Sequence, residues 1–463
     1  MTGQSFTPIL DGALLEKYDT FGPRYTSYPT AVQFTDAFSE QDYRQGIIES
    51  NAIRKPLSLY FHIPFCESLC FYCACNKIIT HTRKRALPYL ERMHREIALQ
   101  AALTDSERPV TQLHLGGGTP TFLSDEQLEA LLNEAASHFT FAPEAQREFS
   151  IEIDPRAVRS NTIALLGDLG FNRISFGVQD FNPKVQEAVN RVQSIEQTRA
   201  VIDAARQANY RSVSVDLIYG LPFQNTENFA RTLDTVIDLA PERLAIYNYA
   251  HLPKRVKAQK LIREETLPKP TEKLALLELI INRLQGAGYE YIGMDHFALP
   301  TDDLVMARNN GTLQRNFQGY STHANADMFG MGLTSIGNIA DSYSQNQRFE
   351  HPYFEAIDAG RLPIMKGYTL NDDDRLRREV IQQLMCQGII HLPQIEKRFD
   401  VAFSDYFAPE LQALTEMADD GLVSVDRESI TVQPLGRLLM RNIAMVFDAY
   451  MKQAARQQFS RAI

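Results

Sequence analysis

Four of the chain's five cysteines, Cys66, Cys70, Cys73 and Cys75, fall within ten residues, and Cys386 stands alone. The first three form a C-x3-C-x2-C pattern, Cys66-Glu-Ser-Leu-Cys70-Phe-Tyr-Cys73. Three thiolates on one tight loop can hold three irons of a [4Fe–4S] cluster and leave the fourth iron open to a small molecule. A zinc site closed by Cys75, or redox thiols, would use the same residues. Zinc sites usually join two separated Cys/His pairs, and the sequence offers no second pair. An odd cysteine count without a secretion signal disfavours a disulfide framework. Cys386 reads as core packing.

A second chemical feature is Leu115-Gly-Gly-Gly-Thr-Pro120. Three glycines let backbone N–H groups approach a carboxylate or amine closely. No Gly-Lys-Ser/Thr follows, so this is not a nucleotide phosphate loop. On its own the triplet is equally a tight turn.

Elements must position these groups, and residues 55–295 supply them. Short apolar runs predict strands at Leu57–His62, Gln112–Leu115, Phe149–Ile153, Arg173–Val178, Ser212–Leu217, Arg243–Tyr247 and Tyr289–Ile292, each expected to be buried on both faces. Helical periodicity lies between them, with N-caps at Ser124 (capping-box spacing to Gln127) and Asn225. Strand, loop and helix repeated about six times predict an α/β fold, a (βα)6-type partial barrel with its chemistry at the C-terminal strand ends. His62, Gly116 to Gly118, Glu152, Gln179, Asp216 and Asn248 all collect there.

The flanks read differently. Gly22-Pro-Arg-Tyr-Thr-Ser-Tyr-Pro-Thr30 suits an extended arm. Beyond about residue 365 the pattern predicts a mainly helical domain, opened by a cap at Thr369–Asp374. It carries a small hairpin over 421–432 and closes with a helix over 435–455. The expected organisation is an N-terminal arm or lid (1–50), a barrel with the cysteine loop (51–300), a barrel-completing, substrate-proximal segment (301–364) and a helical domain (365–463).

Composition bounds the function. With 463 residues, 47 Lys+Arg against 57 Asp+Glu and a net charge of −10, no general basic surface for nucleic acid is expected. No apolar run approaches the ~18 residues of a membrane helix, and the start lacks signal-peptide regions. The chain is expected to be cytoplasmic.

The cysteine loop and glycine triplet on a βα barrel resemble the radical S-adenosylmethionine (SAM) enzymes. Further stretches resemble one family among them: Gly22–Pro29, Tyr60–Cys66, Ile151–Arg156, Phe176–Phe181, Asp216–Pro222, Gly293–Ala298, Arg315–Tyr320 and Ala455–Arg461. That family is the oxygen-independent coproporphyrinogen III oxidases of haem biosynthesis, and the resemblance covers nearly the whole chain. Ala74 stands where the family typically has Gly, and Tyr72 where Phe is common.

The resemblance implies cluster ligands at Cys66, Cys70 and Cys73, with Cys75 outside the ligand set. It places contacts to SAM, two molecules per chain, on Tyr60, Tyr72, Gly117, Gly118, Thr119, Glu152, Gln179, Arg191, Asp216, Ala250 and Ile336. Tyr60, His62, Glu152 and Arg191 are the candidate catalytic residues. Arg191 suits a carboxylate, and Glu152 and Asp216 suit ribose hydroxyls or a sulfonium. One electron would cleave SAM to methionine and a 5′-deoxyadenosyl radical. The implied reaction turns two propionates of coproporphyrinogen III into vinyl groups, giving protoporphyrinogen IX. Arg24, Arg315 and Gln318 are the candidate carboxylate partners, and Tyr25 and Tyr28 are expected to pack on the macrocycle. A flavodoxin- or ferredoxin-like electron donor, an electron acceptor and a monomeric state are also expected. The competing reading is a haem chaperone or another tetrapyrrole-acting relative. The chaperone-like relatives lack the arm and have a Trp in their haem motif, whereas this chain has the arm and no Trp.

Overall fold

The computed structural model describes residues 12–323 and 325–451. Six parallel strands follow in sequence order: β1 (Leu57–Ile63), β2 (Val110–Gly117), β3 (Glu148–Ile153), β4 (Arg173–Gln179), β5 (Ser212–Tyr219) and β6 (Arg243–Asn248). An antiparallel pair, β7 (Glu290–Gly293) and β8 (His296–Ala298), adds to β6. On the other edge β9 (Asp327–Met331) pairs parallel with β1. It is followed by antiparallel β10 (Ile336–Ile339), β11 (Ser342–Asn346) and β12 (Ile364–Thr369). The sheet order is β12-β11-β10-β9-β1-β2-β3-β4-β5-β6-β8-β7, so its outer edges do not pair and the barrel stays open.

Helices join the parallel strands, as parallel pairing requires. They are preceded by α1 (Glu40–Ile53), and run α2 (Leu87–Ala101), α3 (Asp125–His138), α4 (Ser160–Asp168), α5 (Ile195–Gln207), α6 (Thr226–Leu239) and α7 (Pro270–Gly286). α8 (Glu350–Asp358) packs beside α2, and α9 (Asp372–Gln387) opens the C-terminal region. Ser124 and Gln127 form the expected capping box, and Asn225 caps α6 with Asn228. Asn371, within the anticipated Thr369–Asp374 stretch, caps α9.

The strands are not apolar on both faces. In β3, Phe149, Ile151 and Ile153 are buried against the helices, while Glu148, Ser150 and Glu152 alternate with them. The alternate face is polar because its side chains bond one another: Ser58 donates to Gln112 at 2.8 Å, Gln112 to Glu148 at 3.0 Å, and His114 meets Ser150 at 2.6 Å. A strand residue such as Phe61, Phe149 or Phe329 is completely buried in the outer layer. Each such side chain stabilises the fold by about 1.5–3 kcal/mol relative to exposure.

Two departures concern the flanks. Residues 22–30 carry no helix, but Glu40–Ile53 is a capped helix whose Tyr43 and Ile47 enter the main core, not an extended arm. The closing helix expected over 435–455 is a 3-10 stretch, Leu435–Leu439, followed by a two-turn helix, Met440–Val446. Residues 452–455, and the Ala455–Arg461 stretch, lie outside the described residues. The hairpin is present as Val423–Val425 and Ser429–Val432, with Ile389–His391 added as a third strand. Among the described residues no helix is long and apolar enough to cross a membrane.

Candidate functional site at the open barrel mouth

The cysteine loop leaves β1 and returns at once. Phe65–Cys66 pairs in parallel with Ile78–Ile79; Ile78 N–H donates to the Pro64 carbonyl at 2.7 Å and Thr80 N–H to the Cys66 carbonyl at 2.9 Å. The end of β2 lies against this strand: Gly118 N–H donates to Ile63 O and Thr119 N–H to Phe65 O, both at 2.8 Å. A Cβ at Gly118 would stand 2.7 Å from Phe65 O, and one at Gly117, where φ is +111°, 2.6 Å from the His62 ring. The glycines therefore permit close approach to the protein's own cysteine loop. Thr119 Oγ1 sits 3.5 Å from Cys66 Sγ.

Four further tethers set the loop. Phe71 N–H donates to Val189 O at 3.0 Å, Asn190 Nδ2 to Leu69 O at 2.8 Å, and Lys77 Nζ to Cys73 O at 2.8 Å. The fourth is buried Gln259, whose Nε2 donates to Tyr72 O at 3.0 Å and Ala250 O at 3.1 Å, joining the loop to the end of β6. Cys70 is buried, Cys66 and Cys73 are half-buried, Cys75 is exposed, and none forms a disulfide. The Cys75 thiol hydrogen bond, aided by Lys77, lowers Cys73 to about 6, while burial pushes Cys66 up to about 11. Among the described residues no three His, Cys, Asp or Glu side chains converge on one point, as a single metal ion would need. Three cysteines carried on one tight loop are a donor set suited to a multi-iron cluster.

Around that loop stand the strand-end polar groups. Tyr60 hydroxyl meets His62 Nδ1 at 3.1 Å, and its ring stacks on His114 with centroids 5.7 Å apart. His62 Nε2 reaches Asn76 O at 3.1 Å, and burial lowers the ring's pKa. Glu152 receives His114 Nε2 and the Gly117 N–H, each at 3.3 Å. Burial opposes its ionisation, but those two groups outweigh it and hold the carboxylate below its ordinary range. Asp216, opposite in β5, is pushed up to about 8 by burial and then by the Glu152 charge. Gln179 ends β4 with φ at +67°, at the sheet irregularity that turns its side chain back over Gly177.

Arg191 is buried, and its Nη2 donates to Gly177 O at 2.7 Å while Nη1 approaches Asp154 at 3.4 Å and Cys70 Sγ at 3.6 Å. Arg156 grips the same Asp154 in a fork, 2.6 to 3.1 Å, with Nη2 3.9 Å from Cys70 Sγ. Arg191 Nε is buried with no partner. Two guanidinium groups at a sulfur suit a thiolate-bound anionic group. Tyr72, Gly117, Gly118, Thr119 and Ala250 come together at the loop, with Glu152, Arg191 and Asp216 linked to it electrostatically. Ile336 begins β10, its backbone so close to Gly330 that a Cβ there would lie 2.7 Å from Ile336 O.

A second polar group lies beyond β6. Arg24, from the arm, forms an ion pair with Asp295 and lies 5.8 Å from the Tyr247 ring centroid. Arg315 Nε donates to the Arg24 carbonyl at 3.2 Å, and its guanidinium covers Tyr320 at 4.8 Å. His296 meets Tyr320 and Tyr247 edge to face at 5.2 and 6.1 Å, and burial followed by Arg315 pushes its ring down to about 3. Arg315 Nη1, Gln318 Nε2 and His296 Nδ1 are all buried without a partner. Tyr247 senses both Asp216 and Asp295, linking the two polar groups. A cavity of about 900 Å³ opens beside Arg24, lined also by Tyr219, Asn248, Ala250, His251 and Lys273.

The expectation for Tyr25 and Tyr28 fails. Both are buried in the C-terminal core, where Tyr25 donates to Asp448 at 2.9 Å and Tyr28 accepts from Ala449 N–H at 3.1 Å, so neither ring is available to a macrocycle. Sequence reasoning also passed over His114, Asp154, Arg156 and Gln259. Asp154 and Arg156 sat inside the quoted Ile151–Arg156 stretch, and His114 is a polar residue in an apolar strand. Gln259 carries no local signal.

Comparison with known proteins agrees with this geometry. The Radical SAM superfamily model matches residues 60–236 and the HemN C-terminal domain model residues 370–439. The chain is 49% identical over 453 residues to an oxygen-independent coproporphyrinogen III oxidase from Pseudomonas aeruginosa, covering 98% of both. It is 47% identical over 454 residues to the one from Escherichia coli, again covering 98% of both. The solved structure of coproporphyrinogen III oxidase (HemN) from Escherichia coli, described as a radical SAM enzyme, superposes with a TM-score of 0.91 at 44% identity, over 96% of this chain and 100% of that one. Open sheet, three-cysteine loop and full-length likeness together place the chain in the oxygen-independent coproporphyrinogen III oxidase family of the radical SAM superfamily.

Proposed function

We propose that the chain oxidatively decarboxylates two propionate side chains of coproporphyrinogen III to vinyl groups without oxygen, yielding protoporphyrinogen IX for haem synthesis. The observation that carries this reading is the pair of buried, unpartnered donors Arg315 Nη1 and Gln318 Nε2, with the unpartnered His296 Nδ1, in the polar group that holds Arg24. Unpaired buried donors are costly, and a substrate with several carboxylates is a partner that would relieve that cost.

Cys66, Cys70 and Cys73 would hold a [4Fe–4S] cluster. With two SAM molecules bound, this group would supply a 5′-deoxyadenosyl radical able to take a propionate β-hydrogen. The chain's own part is binding and orientation. Arg191 presents positive charge to a SAM carboxylate beside Cys70, with Arg156 and Asp154 fixing its plane. Glu152, kept ionised by His114 and Gly117, accepts hydroxyl hydrogen bonds. Asp216, pushed up to about 8, keeps its proton near neutral pH, and a cationic ligand beside it would favour the carboxylate, its proton leaving to solvent. Tyr60, Tyr72, Gly117, Gly118, Thr119, Gln179, Ala250 and Ile336 line the remaining SAM contacts, and His62 orders the Tyr60–Asn76 edge of the loop. Arg24, Arg315 and Gln318 hold the substrate carboxylates. An external one-electron donor and a separate acceptor complete the reaction, and the chain acts as a cytoplasmic monomer.

The test is anaerobic reconstitution followed by incubation with SAM, reductant, an electron acceptor and coproporphyrinogen III. Mass spectrometry should find vinyl product, CO2 and matching 5′-deoxyadenosine, all lost in Cys70→Ser. SAM cleavage without porphyrin turnover would overturn the substrate assignment, and tight haem binding without turnover would favour the chaperone.

A further inference from the structure

The outer side of the cysteine loop forms a surface of its own. Ile79, the register partner of Cys66 in the short strand pair, is 41% exposed. Leu87 and Phe349 are 47% and 67% exposed. They belong to one face, because Asn76 Nδ2 donates to Arg348 O at 3.1 Å and Arg85 pairs with Glu350. α2 and α8 run in the same direction there, Arg92 and Arg95 meeting Asp358 at 2.7 and 2.9 Å at the far end. Both helix N-termini, with their partial positive charge, thus lie on the Ile79 side.

Charge on this face is opposite to the net charge of the chain. From Asn76 to Leu90 there are four Lys or Arg and His81 but no Asp or Glu, whereas the whole chain carries −10. Arg83 faces Glu67 at 3.5 Å and Arg85 faces Glu350. Lys84 and Arg348 are exposed and pair with no carboxylate among the described residues. Three exposed apolar side chains framed by unpaired cations, on a chain of net negative charge, have the form of a small docking site for an acidic protein. Opposite charge at this face favours encounter with an acidic partner.

We propose that this face docks an acidic one-electron carrier of the [2Fe–2S] ferredoxin kind, which delivers its electron across the Ile79–Cys66 strand pair. The proposal rests on the reading of Cys66 as a cluster ligand. The reduced ferredoxin loses one electron and becomes oxidised, the reconstituted centre gains that electron, and no proton or bond changes hands. Thr80 N–H to Cys66 O, at 2.9 Å, is the covalent-plus-hydrogen-bond route from this surface to the ligand residue.

The test mixes SAM-loaded holoenzyme with pre-reduced acidic [2Fe–2S] ferredoxin in an anaerobic stopped flow, for the parent and for Lys84→Glu, Arg348→Glu and Phe349→Ala. Each charge reversal should slow ferredoxin oxidation tenfold or more at low salt and flatten its salt dependence. Binding followed on 15N-labelled ferredoxin by NMR should weaken in parallel, while dithionite-driven 5′-deoxyadenosine formation stays at the parent level. An unchanged ferredoxin rate overturns the proposal. So does an equal loss with dithionite, or loss of binding to phosphatidylglycerol vesicles with ferredoxin oxidation unaltered, which would mark a lipid surface instead. A parent that cleaves no SAM with dithionite would sink the functional reading, and the NMR titration would still decide the docking face.

Discussion

Arg191 Nη1 lies 3.6 Å from the sulfur of Cys70, so a loop thiol and a guanidinium held from a different βα unit meet inside the barrel mouth. The Nε of the same group has no partner, which leaves a donor for an incoming carboxylate. Lysine cannot reproduce that fork. Arg191→Lys should raise the SAM dissociation constant by about 10- to 100-fold, the range of a lost charge-assisted hydrogen bond of about 1.5–3 kcal/mol. Calorimetric titration of SAM into the reconstituted protein checks this, and parental affinity in the variant would remove the guanidinium from the site.

Cysteine substitutions should divide sharply. Cys66→Ser, Cys70→Ser and Cys73→Ser should each lose most bound iron and sulfide, because three ligands leave no spare. Cys386→Ser, buried in the C-terminal core, should retain both and lose only some stability. Iron and sulfide per chain, with the visible absorption of the cluster, separate the two classes.

Gly118→Ala tests the close approach of β2 to the cysteine strand. Its Cβ would stand 2.7 Å from backbone atoms that cannot swing aside as a side chain can. The expected cost is about 1–3 kcal/mol, with poor cluster incorporation. Gly286→Ala, at the end of α7 with nothing within 4 Å, is the control and should be neutral or stabilising by up to about 1 kcal/mol. Thermal melts of the two variants, with iron content, decide the point.

Arg315→Gln should raise KM for coproporphyrinogen III about tenfold or more, since a buried charged donor to a carboxylate is replaced by a neutral one. SAM cleavage should persist and become uncoupled from vinyl formation. A fall in SAM cleavage equal to the fall in product would instead place Arg315 with the radical-forming half of the site.

His296 gives a pH signature. Its folded pKa, near 3, lies below the usual value of 6.5, so between those values the unfolded chain binds a proton that the folded chain does not. The stability it contributes is complete above about pH 6.5 and is lost as pH falls, by roughly 3 kcal/mol at about pH 4.5. His296→Asn should therefore flatten the acid limb of stability relative to the parent. Denaturant melts at several pH values from 7 downward measure it, and parallel limbs would contradict the assignment.

The alternation of strand and helix from β1 to β6 was legible because each strand carries its own apolar run and helices such as α3 and α6 carry their own caps. The polar inner face was partly hidden: β3 alternates cleanly, but Arg173-Ile-Ser-Phe reads as a buried strand in isolation. β9, Asp327-Met-Phe-Gly-Met331, has no strong strand signal and is held by pairing with β1. Gln259 acts through main-chain carbonyls of distant residues, which no local pattern encodes. Composition and the family resemblance pointed Tyr25 and Tyr28 at the macrocycle, but the C-terminal core claimed both. The cysteine spacing and the glycine triplet were local and were legible at once.

The burial of that arm ties the two ends of the chain together. Arg441 donates to Pro23 O at 3.0 Å and to Gly22 O, directly beside Arg24. During synthesis the arm emerges early, yet Tyr25 and Tyr28 beside Arg24 have no seat until Asp448 and Ala449 have left the ribosome. The Arg24 half of the mouth is thus completed last. A chain cut short after 440 should leave the arm around Arg24 unanchored, although the cut lies at the opposite end of the sequence.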